Sequence, residues 1–302
     1  MEQAHLLSSG LAIGSSQTLT PRFARVRRFG RVFARNKTAL IGAVVLMLIY
    51  LAVIFAPFVT PYDPDKQRLQ ERFSPPSLVH PFGTDQFGRD IFSRVLYGGR
   101  VSLSVGLSSV AIALTIGVFL GLQAGFLSGW LDGVLMRFTD SVIAFPTFFL
   151  MVAISTLVGP SLTTIILVIG LTAWPGVARL VRGQVLSLKE RDFVTAAIVN
   201  GCNGRRIMLK HLLPNTVAAI IVAGTLEIAF AVLTEAALSF LGVGVRPPQA
   251  SWGNMLTVAQ KDMFVAPWVA AAPGFMIFLT VLCLNFVGDG LRDSLDPRLR
   301  HR

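Results

Sequence analysis

Residues 141–178 read SVIAFPTFFLMVAISTLVGPSLTTIILVIGLTAWPGVA and contain no charged side chain. A helix crosses the hydrocarbon core of a bilayer with about 20 apolar residues, so this stretch is too long for one span. Gly159-Pro160 divides it near its middle, and a proline moves the residue before it out of helical geometry. We therefore predict two spans here, at about residues 139–158 and 162–181, joined by a tight turn.

Four further stretches have the length and the apolar character of membrane spans. Residues 38–62, 101–131 and 263–288 carry no charge, and residues 215–245 are interrupted only by Glu227 and Glu235. Charged residues make up 14% of the chain, against roughly a quarter in soluble domains. The sequence thus predicts an all-α membrane protein with six transmembrane helices, at about residues 39–60, 101–125, 139–158, 162–181, 215–242 and 268–288.

The basic residues outnumber the acidic ones by 27 to 16, which gives a formal net charge of +11. Two clusters, one before the first span and one between the fourth and fifth, contain Arg22, Arg25, Arg27, Arg28, Arg31, Arg35 and Lys37, then Arg179, Arg182, Lys189, Arg191, Arg205, Arg206 and Lys210. Cytoplasmic segments of membrane proteins are rich in Lys and Arg. The distribution predicts both termini in the cytoplasm, and it favours a topology signal over nucleic-acid binding.

The predicted domain organisation is one membrane unit with two tails. Residues 1–37 form a basic cytoplasmic tail, residues 38–290 the membrane domain with a cytoplasmic loop at 182–214, and residues 291–302 a second tail. The first apolar run is too long for a signal peptide and has no small-residue cleavage site after it, so we expect it to be retained. Cys202 and Cys283 lie far apart and predict neither a disulfide framework nor a zinc site.

The loop between the fourth and fifth spans reads RGQVLSLKERDFVTAAIVNGCNGRRIMLKHLLPN over residues 182–215. Apolar residues at helical spacing predict a helix that ends at Asn200-Gly201. Residues 205–213 predict a second short helix, which ends at Pro214 in the first turn of the fifth span. The small side chains of Ala196 and Ala197 leave a shallow spot on the first helix, where another protein can approach closely.

The spacing of Ala196-Ala197, Gly201 and Leu213-Pro214 resembles the EAA loop of ATP-binding-cassette (ABC) importer permeases. Thr195 stands where that family has its acidic residue, and His211 stands where isoleucine is common. Residues 80–106, 238–256 and 288–300 resemble the dipeptide/oligopeptide/nickel branch of the family. The short outer segment after the first span resembles the C-type subunit of that branch.

This resemblance implies the type I ABC importer permease fold in a bacterial or archaeal plasma membrane. The loop is then a coupling helix that docks into a groove of a separate ATPase subunit, through Asp192, Thr195, Ala196, Ala197, Gly201, His211, Leu213 and Pro214. The implied partners are a second homologous permease, two ABC ATPases that bind ATP and Mg, an extracytoplasmic substrate-binding protein and membrane lipid. We expect this chain to bind no cofactor, no metal and no nucleic acid itself.

Two acidic residues, Glu227 and Glu235, lie inside the fifth predicted span. A charged residue at a helix centre costs roughly 2.5–3.5 kcal/mol on insertion scales, so such residues face protein or water. Eight residues of helix place them about 12 Å apart on broadly one face. Two interpretations stay open: the glutamates line the translocation path and contact a cationic group of the cargo, or they pair with a neighbouring helix or the partner permease.

A compact cluster precedes the second span and comprises Gly83, Asp85, Gly88, Arg89 and Asp90. Glycine and aspartate favour turns, and we expect Asp90 to pair with Arg89 or Arg94. The cluster is either a structural turn that leads into the span or a segment fixed beneath a docking protein.

Three classes of function fit a chain of this kind: an importer permease, an ion-gradient-driven transporter or channel that uses Glu227 and Glu235, and an intramembrane enzyme. The basic loop with its alanine pair favours the permease, because a gradient-driven carrier has no need of it. No phosphate loop, H-E-x-x-H motif or triad pattern is present, so we predict no enzyme activity. The cargo stays open among dipeptides, oligopeptides, glutathione, opine-type metallophores and nickel, and we expect a peptide.

Overall fold

The computed structural model describes residue 30 and residues 32–295, and within them the regular structure is helical apart from one isolated bridge between Thr84 and Asp90. Nearly all of the predicted amino-terminal tail and residues 296–302 lie outside the described residues. The helices of the membrane domain are α1 (Lys37–Ile54), α2 (Ala56–Val59), α3 (Ile91–Leu127), α4 (Gly129–Ala144), α5 (Thr147–Val158), α6 (Leu162–Lys189), α7 (Asp192–Val199), α8 (Gly204–Phe240), α9 (Trp252–Ala259) and α10 (Trp268–Leu295).

Five of these helices, α1, α3, α6, α8 and α10, are long and apolar enough to cross a membrane. The pair α4 and α5 also passes that test together, but the two helices are bent by 78° at their junction. Counted as one broken span, the pair raises the number to six. The predicted all-α membrane class is therefore confirmed for the described residues.

The bent pair occupies the place where we predicted one continuous span at about residues 139–158. Pro146 causes the difference, because a proline excludes the residue before it from helical geometry. Phe145 accordingly adopts extended backbone angles and ends α4, and α5 starts after the proline. The sequence prediction used Gly159-Pro160 as a break and overlooked this second proline.

Helices α3 and α6 form the most extensive helix pairing in the described bundle, and glycines allow them to pack closely. Gly117, Gly121 and Gly125 form a stripe on α3 at helical spacing, and a Cβ atom built on any of them would lie 2.6–2.7 Å from an atom of α6. At Gly121 that atom is the backbone oxygen of Ala178. Small residues let membrane helices approach until their backbones touch, which maximises dispersion contacts. The stripe thus fixes how α3 and α6 meet.

The first and last described spans, α1 and α10, also pack against each other. A Cβ on Gly42 of α1 would lie 3.0 Å from the backbone oxygen of Cys283, and one on Gly290 of α10 would lie 2.2 Å from the Cβ of Ala39. Asn36 caps the start of α1 and donates a hydrogen bond from its amide to Asp293 at 3.3 Å.

Helix α3 begins ten residues before the predicted second span, since its arginines have partners. Arg94 donates hydrogen bonds to the carbonyl of Pro64 at 2.9 Å and to the carboxylate of Asp65 at 2.8 Å. Arg100 donates to the carbonyls of Val53 and Ile54, at 2.9 and 2.6 Å. These carbonyls close the carboxy-terminal end of α1, where a positive charge is favourable.

Helix α6 extends to Lys189, beyond the predicted end at about residue 181, because its basic side chains also have partners on other segments. Arg182 forms a two-pronged ion pair with Asp132 of α4, at 2.6 and 2.7 Å. Lys189 donates to the carbonyl of Phe126 at 2.8 Å and to the hydroxyl of Ser128 at 3.0 Å, at the end of α3. The basic residues that we took as loop markers are therefore structural parts of the helix.

We predict that Gly121→Val destabilises the protein by about 1–3 kcal/mol, because the added side chain meets the backbone of α6, which cannot move aside. Gly133→Val in α4 is the matched control, since a Cβ there has no atom within 4 Å. Thermal unfolding of both purified variants in detergent tests the prediction. Equal midpoints for the two variants would contradict it.

Candidate functional site

The short helix α7 lies between α6 and α8 in the predicted cytoplasmic loop. It starts after a break at Glu190 and Arg191, and Asp192 stands in its first turn, where a negative charge is favourable. Gly201 ends it with φ +73°, and Gly201 N–H and Cys202 N–H donate to the carbonyls of Ile198 and Ala197, at 2.9 and 3.0 Å. This pair of bonds is the Schellman motif. The predicted stop at Asn200-Gly201 matches the end of α7.

The two faces of α7 differ sharply in exposure. Val194 and Ala197 are buried in an apolar cluster that also contains Val185 of α6 and Ile207 and Leu212 of α8. On the opposite side, α7 leaves large apolar groups exposed, with 39% of Phe193, 55% of Ile198 and 82% of Val199 accessible. Thr195 and Ala196 are also exposed. The alanine pair is therefore not one shallow spot, because Ala196 faces outward and Ala197 faces the protein.

A π-helical turn over Ile207–Leu212 joins the loop to the long part of α8. Leu213 N–H donates to the carbonyl of Met208, and Pro214 follows directly, with no N–H to donate. The widened turn accommodates this proline, so the helix continues to Phe240. The prediction that a short helix ends at Pro214 is wrong for this reason. His211 and Leu213 are half-buried, and Pro214 is exposed.

Glu235 is completely buried in a network of hydroxyl groups. Its carboxylate accepts hydrogen bonds from Ser102 of α3 at 2.8 Å and from Ser239 at 2.7 Å. Ser102 in turn accepts from the backbone N–H of Trp252 at 3.1 Å, and the Trp252 indole donates to the carbonyl of Val95 at 2.9 Å. The glutamate thus joins α3, α8 and the start of α9, and it lines no open path in this structure.

Glu227 has different surroundings, although it lies on the same helix. Its side chain is half-buried, and no hydrogen bond or ion pair joins it to any residue that the structure describes. A Cβ built on Gly176 of α6 would lie 4.0 Å from its Oε1 atom. The structure therefore separates the two glutamates that the sequence prediction treated together.

The cluster before α3 is a folded segment whose turns depend on two glycines. Gly83 and Gly88 have φ values of +74° and +69°, and a Cβ on Gly88 would lie 1.8 Å from the backbone oxygen of Arg68. Asp85 accepts hydrogen bonds from the backbone of Phe87 at 2.8 Å and from the guanidinium of Arg89 at 2.7 Å.

Asp90 caps α3, and it pairs with none of the arginines that the structure describes. Its carboxylate accepts hydrogen bonds from the backbone N–H of Ser93 at 2.7 Å and from the Ser93 hydroxyl at 2.6 Å. Its other oxygen lies 2.9 Å from Nδ1 of His80. The predicted pairing of Asp90 with Arg89 or Arg94 is wrong, because Arg89 binds Asp85 and Arg94 binds Asp65.

Sequence reasoning missed His80 and the serines around Glu235. The aspartate followed by an apolar run at Asp90 is a helix-start signal that was available in the sequence. The partners of Glu235 were not, because Ser102 lies 133 residues away along the chain. Among the described residues, no group of three or more His, Cys, Asp or Glu side chains is placed to hold a metal ion.

Comparison with known families gives two matches. Residues 113–301 match the family described as binding-protein-dependent transport system inner membrane component. Residues 25–76 match the family described as the N-terminal transmembrane domain of oligopeptide transport permease C.

Several known proteins are similar to this chain over most of its length. A dipeptide transport system permease protein of Alkalihalophilus pseudofirmus is 43% identical over 266 residues, which cover 88% of each chain. A di/tripeptide transport system permease protein of Pseudomonas aeruginosa is 42% identical over 91% of this chain and 93% of its own. A glutathione transport system permease protein of Pectobacterium atrosepticum is 40% identical over 91% of each.

We predict that Asp90→Ala destabilises the protein by about 2–4 kcal/mol, because it removes a helix cap and leaves the buried groups of Ser93 and His80 unpaired. Asp90→Ser retains a capping oxygen and should lose clearly less stability than Asp90→Ala. Thermal unfolding of both variants beside the unaltered protein gives the comparison. Equal losses in the two variants would show that the cap contributes nothing.

Proposed function

The chain belongs to the family of inner-membrane components of binding-protein-dependent transport systems, and we propose that it forms half of the translocation path for peptides in an ATP-driven importer. Members of this family are multi-pass permease subunits of the inner membrane. The proposal adds three elements to family membership: a coupling role for α7, a peptide cargo and a set of partner proteins.

The exposed apolar face of α7 is the observation that carries the coupling role. Phe193, Ile198 and Val199 lie outside the membrane-spanning parts of the chain, in a loop for which the basic residues predict the cytoplasmic side. Large apolar side chains grouped at an exposed site mark a surface that another protein covers. The resemblance of this loop to the family implies that the partner is a groove of an ATPase subunit. Asp192, Thr195, Ala196 and Gly201 lie at the edge of the apolar face that enters this groove.

The buried face of α7 supports the transmission of movement. Val194 and Ala197 pack against residues of α6 and α8, so a displacement of α7 acts on the ends of both spans. Only two residues, Glu190 and Arg191, separate α7 from α6. An ATPase that holds α7 differently in its two nucleotide states thereby favours one of two arrangements of the spans, which is the differential contact that coupling requires.

Peptides are the cargo that the relatives favour. The similar permeases carry the names of dipeptide, di/tripeptide and glutathione transport systems, and glutathione is itself a modified tripeptide. Nickel and opine-type metallophores, which the sequence left open, occur in none of these three names.

The complete importer consists of two permeases, two ATPases and an extracytoplasmic binding protein. ATP and Mg bind to the ATPases, and the binding protein delivers the cargo to the outer side. The gradient-driven transporter loses support, because family membership makes the chain one component of a larger transport system. Gly83, Asp85, Gly88, Arg89 and Asp90 are all buried, so the cluster shapes the outer segment from within and lies beneath the surface that we expect the binding protein to contact.

Copurification tests the assembly directly. A tag on this chain, with extraction in mild detergent, should recover a second permease and ATPase subunits that contain phosphate loops. A homo-oligomer without any ATPase would overturn the proposal.

We predict that Val199→Arg detaches the ATPase subunits while the permease stays folded, because a charged group replaces the most exposed apolar residue of α7. Phe264→Arg is the matched control, since Phe264 is 93% exposed in the loop between α9 and α10. The measurements are the amount of ATPase recovered with the tagged permease, its ATP hydrolysis and the thermal midpoint. Normal ATPase recovery and uptake in Val199→Arg would refute the docking role of α7.

A further inference from the structure

Glu227 is a carboxylate near the middle of a membrane span without a partner in the part of the chain that the structure describes. The apolar portion of α8 runs over Leu213–Phe240, and Glu227 stands close to its centre. Burial of a carboxylate at that depth is costly unless protein, water or a ligand compensates it. Glu235 shows how this chain satisfies a carboxylate internally, with two serine hydroxyls. Among the described residues, no hydroxyl or other donor bonds Glu227 in this way.

The surface of α6 that faces Glu227 is exposed and polar. Gly176 is exposed near the middle of α6, and its nearest foreign atom is Oε1 of Glu227, 4.0 Å from the position of a Cβ. An exposed strip continues from it along the same face at helical spacing, and comprises Gly176, Arg179, Leu180, Gly183, Gln184 and Ser187. Glycines and polar side chains predominate in this strip. A surface of this kind is suited to water or to a polar ligand rather than to lipid chains.

Arg179, the positively charged residue of that strip, already forms an ion pair with another carboxylate. Arg179 donates to Asp140 of α4 at 2.5 Å, so its charge is compensated by another carboxylate. Glu227 therefore presents a carboxyl group with no partner among the described residues, next to the gap left by the absent side chain of Gly176.

We propose that Glu227 receives the protonated amino group of a peptide as it crosses the membrane, in the gap beside Gly176. This inference rests on the proposed function, which supplies the peptide. An ammonium group must lose water to enter a path through the membrane, and an opposing carboxylate offsets that loss with a charge-assisted hydrogen bond. The missing side chain at Gly176 lets the amino group approach Oε1.

The test uses the whole transporter in proteoliposomes, with saturating binding protein, and alanyl-alanine and glutathione as probes. Glu227→Gln keeps the shape of the side chain but removes its charge, and it should slow uptake about tenfold or more. Glu227→Asp keeps the charge and should retain most of the uptake. ATP hydrolysis stimulated by the binding protein and recovery of the second permease should stay normal in both variants.

Gly176→Leu provides a second approach that leaves the carboxylate in place. Its side chain fills the gap beside Oε1 and should slow uptake as strongly as Glu227→Gln does. Gly133→Leu is the control, because that glycine is exposed on α4 with no atom near its Cβ position. Its uptake should equal that of the unaltered transporter.

Three results would overturn the inference. Uptake at the unaltered rate in Glu227→Gln would show that the carboxylate does not serve the cargo. Loss of the second permease from that variant would show that Glu227 pairs with the partner subunit instead. A parallel loss of ATP hydrolysis would assign Glu227 to coupling. By contrast, an unaltered transporter that takes up neither probe with ATP would overturn the proposed function itself.

Discussion

The close contact between α3 and α6 is the constraint on which the rest of the bundle depends. Three glycines on α3 bring the two helices together until side chains of one meet the backbone of the other. Two residues after α6, the chain enters α7, and the basic residues of α6 hold the end of α3 and helix α4. The position of the loop helix is thereby defined relative to the membrane-spanning core.

Two kinds of interaction connect this core to its surfaces. Apolar packing attaches α7 to the ends of α6 and α8, which leaves its other apolar side exposed. Buried hydrogen bonds attach α9 to α3 and α8 around Glu235, which is satisfied without any contribution from outside the chain. Glu227, about two turns earlier on α8, is not satisfied in this manner by any described residue. The difference between the two glutamates separates a structural carboxylate from one that is available to a ligand.

The sequence predicts the helical class and the end of α7 well, because both follow from local composition and from a glycine at a defined place. The sequence prediction fails where partners that are distant along the chain determine the end of a helix or the surroundings of a side chain. Arg94, Arg100, Arg182 and Lys189 look like the limits of spans, yet each lies inside a helix because carbonyls or carboxylates from distant segments receive its charge. The different surroundings of Glu227 and Glu235 follow from tertiary contacts that no spacing rule contains.

The packing of α1 against α10 has a consequence for biogenesis. The first described span has its main neighbour in the last one, with Gly42 seated on α10 and Asn36 joined to Asp293. Helix α10 leaves the ribosome only after the intervening helices, so α1 waits in the bilayer with an unfilled face while they are made. Until α10 inserts, the face of α1 around Gly42 is open to lipid or to another helix. The final packing of α1 is therefore a late event relative to the synthesis of the spans between the two helices.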